Sequence, residues 1–145
     1  MPEPETIERA REDAREGKSP STQAGEFVRE EMHHVREGKH GARSPQQAIA
    51  IGLSKARRAG VKLGTPKGST ALRKKAVQDE KASKKPRRKI SATRSRATEA
   101  ALKREPRGSV SKKALSRQAK TAAAKRGKQA RSVAAVKAAR TRKAA

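Results

Sequence analysis

The sequence contains no cysteine, no tryptophan and no tyrosine, and Phe27 is its one aromatic residue. Without cysteine there is no disulfide, no thiolate metal centre and no cysteine nucleophile. One phenylalanine cannot build the aromatic platform on which RNA and single-strand modules stack bases. Zinc fingers are excluded with the cysteines they need. Bulky apolar residues are also scarce: 32% of the chain is hydrophobic, much of it alanine. No apolar run approaches the roughly 20 residues that span a bilayer. Residues 1–10 are acidic and lack an apolar stretch, so no secretory signal is expected, and the protein reads as cytoplasmic. Low hydrophobicity with high net charge leaves little apolar surface to offset ordering entropy, which predicts a small core at most.

Positive charge is what the chain has in excess. It carries 39 Lys and Arg against 14 Asp and Glu, a net charge of +25 over 145 residues. Residues 1–65 hold 12 cations and 10 acids, a net of +2; residues 66–145 hold 27 cations and 4 acids, a net of +23. This break predicts two regions: a mixed-charge helical head, residues 1–64, and a Lys/Arg/Ala-rich tail, residues 66–145. Single-sign blocks of this kind are commonly interaction tails.

The head has an internal rhythm. Arg15-Glu16-Gly17-Lys18 recurs as Arg36-Glu37-Gly38-Lys39, and Gly17, Gly38 and Gly60 fall 21 and 22 residues apart. This spacing predicts about three short helices, each closed by a glycine in the left-handed position. Ser19 and Ser44 precede Pro20 and Pro45, the arrangement of an N-cap followed by proline at the first helical position. Ser44 and Gln47 have capping-box spacing. Ala24, Phe27, Val28, Met32 and Val35 form one apolar stripe. Ala48, Ile49, Leu53 and Ala56 form a second, and Ile7, Ala10 and Ala14 a thinner third. Val61 and Leu63 follow the third helix and are placed to fold back. At roughly 1.5–3 kcal/mol per fully buried large side chain, these anchors support a marginal helical hairpin.

The tail is dominated by Lys, Arg, Ala, Ser, Thr and Gln, with breaks at Pro66, Pro86, Pro106, Gly68, Gly108 and Gly127. Helix propensity is good between the breaks, over residues 71–85 and 112–124. Like charges at i,i+4, such as Lys113 and Arg117, oppose helix by a few tenths of a kcal/mol each. The expected fold class is therefore mainly α, with short helices in the N-terminal part and a basic tail largely disordered or fraying helix until polyanion binds.

Twenty-seven tail cations suit duplex DNA, whose phosphates lie about 1.7 Å apart along the axis and whose neutralisation releases counterions. The candidate phosphate contacts are the clustered cations: Arg73, Lys74 and Lys75; Lys84, Lys85, Arg87, Arg88 and Lys89; Lys103 and Arg104; Lys112 and Lys113; Lys125 and Arg126; Arg140, Arg142 and Lys143. Lys84–Lys89 also has the form of a basic import patch. A helix-turn-helix over Gln23–Gly60 would present Gln46, Gln47, Lys55, Arg57 and Arg58, but the Gly38–Pro45 connection is long for that motif. Glu30 with His34 and His33 with Glu37 are i,i+4 pairs; a solvated ionic face is the expected outcome, and no metal or other cofactor is predicted. No Gly-rich phosphate loop or catalytic constellation is present, and exposed ion pairs account for the head's carboxylates. The chain reads as a binding protein rather than an enzyme.

Two segments resemble a small bacterial family of unknown function whose members are commonly labelled DNA-binding or plasmid stabilisation proteins. They are Gln23-Ala24-Gly25-Glu26-Phe27-Val28-Arg29-Glu30-Glu31-Met32-His33-His34-Val35-Arg36-Glu37-Gly38-Lys39-His40 and the stretch from Arg43 to Gly60. Within the second, Gln47-Ala48-Ile49-Ala50-Ile51-Gly52-Leu53-Ser54 is the most specific part. The resemblance covers residues 1–64; the tail resembles linker-histone tails in composition only. It implies a bacterial nucleoid or plasmid setting. The expectation is a non-sequence-specific DNA-binding protein, histone-like and nucleoid-associated, with residues 21–63 available for self-association or a protein partner. The alternatives are an RNA- or ribosome-associated protein and an adaptor acting through the helical head.

Overall fold

The structure, a computed structural model, describes residues 2–85 and 91–144. Among them the regular elements are α-helices, α1 (Pro4–Arg15), α2 (Pro20–Arg36), α3 (Pro45–Arg58), α4 (Thr70–Ser83), α5 (Ala92–Lys103), α6 (Lys112–Lys125) and α7 (Gly127–Ala144), with a 3₁₀ turn at Gly108–Val110. They fall into two compact units, one ending at Val110 and one from Ser111 onward.

Local chemistry sets the head helices. Ser19 Oγ accepts from the Thr22 N–H at 3.4 Å, and Ser44 Oγ accepts from the Gln47 N–H at 3.2 Å. Proline occupies the first turn of α1, α2 and α3. Gln47 Oε1 accepts from the Arg43 N–H at 2.6 Å, so its return bond falls one residue before the cap. Gly17, Gly38 and Gly60 take φ of 73°, 79° and 98°, the left-handed exit the spacing predicts.

The helices pack around Ala10, Ala24, Phe27, Ala56 and Val61, with Ile7, Leu53 and Leu63 against them. Most of the predicted stripe residues line this core, although Ala14 is exposed. Where α3 crosses α2, a Cβ on Gly52 would lie 2.7 Å from Val28 Cα and 3.0 Å from the Phe27 carbonyl oxygen. Both are backbone atoms and cannot turn aside. Gly52→Ala should therefore lower stability by about 1–3 kcal/mol through overpacking, against alanine's better helix propensity. The midpoint of urea unfolding measures it; an unchanged or raised midpoint would mean that the crossing is looser than described.

The first unit reaches well beyond the head, through residues that electrostatics assigns to the tail. Asp79 of α4 is 2% exposed. It accepts from Ser54 Oγ at 2.7 Å and Arg58 Nε at 2.8 Å, both on α3, and from Lys75 Nζ at 2.8 Å. Burial works against ionisation, but these three donors outweigh it and the Asp79 carboxyl sits below its ordinary range. Downstream, the Gly41 and Ala42 N–H groups donate to the Leu102 and Pro106 carbonyls at 2.9 and 3.1 Å. A Cβ on Gly41 would overlap the Glu105 carbonyl, so this approach requires glycine. Val110, 1% exposed, completes the unit.

The expectation of a tail largely disordered or fraying is corrected by α4 to α7. Ser69, Ser91 and Ser111 cap α4, α5 and α6, their hydroxyls accepting from the Leu72, Arg94 and Ala114 N–H groups at 3.3, 3.4 and 3.3 Å. A cap contributes about 1 kcal/mol, more than the few tenths that each like-charge pair costs on a solvated surface. Alanine, lysine, arginine and glutamine add propensity, and Lys103–Glu99 at 2.8 Å adds an i,i+4 pair of opposite sign.

Candidate nucleic-acid interface

Helical periodicity decides which cations act together. Arg73, Lys74 and Lys81 of α4 and Lys85 just past its C-cap line one open face with Val77, which is 41% exposed. From Arg73 to Lys85 at about 1.5 Å per residue the face runs roughly 18 Å, the axial length of some ten duplex phosphates. Lys75 lies off this face and is committed to Asp79. Lys84 is the C-cap residue of α4. Arg73 Nε also donates to the Gly68 carbonyl at 3.1 Å, which fixes its direction. Lys103 and Arg104 close α5, with Lys103 paired to Glu99.

The second unit, residues 111–145, carries twelve Lys and Arg and no acid. Along α6, Lys112, Lys113, Arg117 and Lys120 fall within an arc of about 140° at 100° per residue and are exposed. The half-buried Ala114, Leu115, Gln118 and Ala122 occupy the opposite arc. Lys125 and Arg126 end α6, where cations meet the negative end of the helix dipole. Gly127, φ 78°, then starts α7. That helix is 18 residues long and carries Lys128, Arg131, Lys137, Arg140, Arg142 and Lys143 around its circumference, all exposed.

Every candidate phosphate contact among the described residues is solvent-exposed. Arg87, Arg88 and Lys89 lie outside them. The structure brings Arg73, Lys74 and Lys85 onto one face, and Lys112 and Lys113 onto another. Lys81, Arg117 and Lys120 join these faces although they belong to no run of adjacent cations. Helical spacing places them: Lys81 is i,i+4 to Lys85, Arg117 is i,i+4 to Lys113, and Lys120 is i,i+3 to Arg117.

The head holds a different polar centre. Glu30 and Glu31, 4% and 0% exposed, are covered by α2's neighbours. Glu30 accepts from the Glu3 N–H and from Lys55 Nζ, each at 3.1 Å. Burial raises the Glu30 carboxyl, yet these donors bring it below its ordinary range. Lys55 Nζ is also 2.7 Å from Glu31 Oε2; burial opposes its charge, but the two carboxylates prevail and hold its ammonium above its usual range. Lys55 is therefore engaged inside the fold and is no counterpart to the exposed cations of a recognition helix. The i,i+4 pair Glu30–His34 is long at 3.9 Å, and the histidines instead meet Glu31 and Glu3. Among the described residues, no helix is long and apolar enough to cross a membrane.

Residues 17–67 match the model of a family described as a family of unknown function (DUF6496). No curated protein and no solved structure matches the chain.

Proposed function

We propose that the chain binds nucleic acid, duplex DNA foremost, by laying exposed cationic helix faces on phosphates without reading sequence. One observation carries this reading: the acid-free unit of residues 111–145 presents its cations on well-formed helices, with Lys112, Lys113, Arg117 and Lys120 on a single face. Solubility alone calls for no such single-sign unit. Phosphate contacts position a protein on a duplex, while base-edge contacts specify it. Lysine and arginine without aromatics provide the first kind. A nucleoid- or plasmid-associated role follows as part of the same reading.

The test is a salt titration of binding to two unrelated duplexes and one structured RNA, followed by fluorescence anisotropy. With about eight phosphates engaged, log affinity should fall against log salt with a slope of roughly −7, and the two duplexes should agree within a few-fold. A shallow slope, or one duplex favoured a thousand-fold, would refute phosphate-led binding. Stronger binding to the RNA at every salt concentration would move the target from DNA to RNA.

A further inference from the structure

Glu31, His34 and His40 each offer one ligand atom, and these atoms lie within 4.8 Å of one another. Glu31 and His34 stand three residues apart on α2, the Glu-x-x-His spacing that projects both side chains to one side of a helix. The left-handed turn at Gly38 brings the chain back and delivers His40 to the same place. The imidazoles are 6.1 Å apart and nearly perpendicular, at 82°.

The hydrogen bonds around the cluster set which ring nitrogens face the carboxylate. His40 Nδ1 is 3.0 Å from the Gly41 carbonyl oxygen, which can only accept, so Nδ1 carries the proton. Nε2 then points a lone pair at Glu31 Oε1, 3.2 Å away. On the other ring, His34 Nε2 donates to Glu3 Oε1 at 2.9 Å, and Nδ1 is left as an acceptor. The Glu31 side chain is 1% exposed; the Lys55 ammonium lies 2.7 Å from Oε2, while Oε1 receives no hydrogen bond from any described residue. Lys55 serves Oε2, but Oε1 and His40 Nε2 face each other as acceptors, which at this burial is unfavourable unless something positive lies between them.

We propose that Glu31, His34 and His40 bind one divalent transition-metal ion of the zinc type. Two imidazoles and a carboxylate with an open fourth position are a common zinc donor set. Ligand atoms on a tetrahedral zinc are about 3.4 Å apart, and His40 Nε2 and Glu31 Oε1 already stand at that separation. Each histidine donates its other N–H to a carbonyl or a carboxylate, the outer-shell partners that orient metal-binding imidazoles. An open cleft of about 320 Å³, lined also by Glu3, Glu30 and Lys39, reaches His34 from solvent. Bound there, the ion ties the loop carrying His40 to α2. That loop's Gly41 and Ala42 hold the segment at Leu102–Pro106. Every one of the three ligands falls within the family-matched residues 17–67.

The test uses the full chain, stripped with chelator and titrated with Zn²⁺ by calorimetry and with Co²⁺ by visible absorption. Wild type should bind one equivalent at micromolar Zn²⁺, give the intense visible bands of four-coordinate Co²⁺, and melt at a higher temperature with Zn²⁺ than without. Glu31→Gln, His34→Gln and His40→Gln should each weaken binding by about 100-fold or more, since even outer-shell losses cost 10–100-fold. His33→Gln, on an exposed position of the same helix, should bind as wild type does. Glu31→Gln removes a buried group, so its circular dichroism is compared first. His40→Gln, in the loop after Gly38, decides the matter if Glu31→Gln does not fold. Wild type that takes up no Zn²⁺ would overturn the proposal. Equal Zn²⁺ affinity in His40→Gln would overturn it as well.

Discussion

Replacing Lys112, Lys113, Arg117 and Lys120 together by glutamine should lower affinity for every duplex by about 10²–10³-fold near 0.1 M salt. Glutamine keeps the helix propensity of lysine and arginine, so α6 should persist and only its charge change. Each phosphate contact adds about 0.9 to the salt slope; losing four flattens it by roughly 3.6 units, and losing two or three by proportionately less. Unrelated duplexes should be weakened alike, because these contacts carry no base information. A matched set along α4 and just past its end, Arg73, Lys74, Lys81 and Lys85, gives the comparison between units. If the α6 set leaves slope and affinity unchanged while the α4 set removes both, the working surface belongs to the first unit. If neither set matters, cations spread singly over the chain carry the binding and the helical faces are incidental. Anisotropy titrations at four or five salt concentrations distinguish these outcomes.

Much of the head was legible because its signals are local. A serine before a proline, and a glycine every 21 or 22 residues, act within one helical turn, and Ser19, Ser44, Gly17, Gly38 and Gly60 do what their neighbours in sequence imply. What remained hidden depends on distant partners. Asp79 sits in a lysine-rich helix and reads as a surface charge; its burial requires Ser54 and Arg58, 25 and 21 residues earlier. Val110 lies beyond a proline and a glycine, and its burial follows from the approach of Gly41 and Ala42 to Leu102 and Pro106. The charge break near residue 65 reports electrostatics and says little about packing, since the first unit continues to Val110. In the tail, like-charge repulsion and the Pro and Gly breaks oppose the helix propensity, and the serine caps at 69, 91 and 111 change that balance. For the candidate interface, runs of adjacent cations stood out in the sequence, while Lys81, Arg117 and Lys120 needed the helical register. The histidines show i,i+4 carboxylate pairs in the sequence; the contact between Glu31 and His40 spans the turn at Gly38 and has no such local spacing.

Asp79→Asn should destabilise the first unit by about 1–3 kcal/mol at neutral pH, the cost of weakening a buried, multiply hydrogen-bonded carboxylate. Two of its donors, Arg58 and Lys75, are about half exposed and can return to water, which keeps the effect below that of a fully buried ion pair. Asparagine retains the shape and one acceptor oxygen, so Ser54 can still donate and α4 need not be expelled. The pH dependence separates the charge from the packing. In the folded chain the Asp79 carboxyl lies below its unfolded value of 3.8, so its ionised form is favoured by folding. The stabilisation is present in full above that unfolded value and is lost as pH falls through the folded one. The stability gap between wild type and Asp79→Asn should therefore hold constant from neutral pH to near the unfolded value, then close below it. Glu30 is also shifted down and contributes to acid unfolding in both proteins, so the difference between the two curves isolates Asp79. Urea titrations followed by circular dichroism at several pH values measure it. A gap that persists unchanged at the lowest pH would assign the loss to altered packing of α4 on α3 and would mean that the charge of Asp79 does not hold them together.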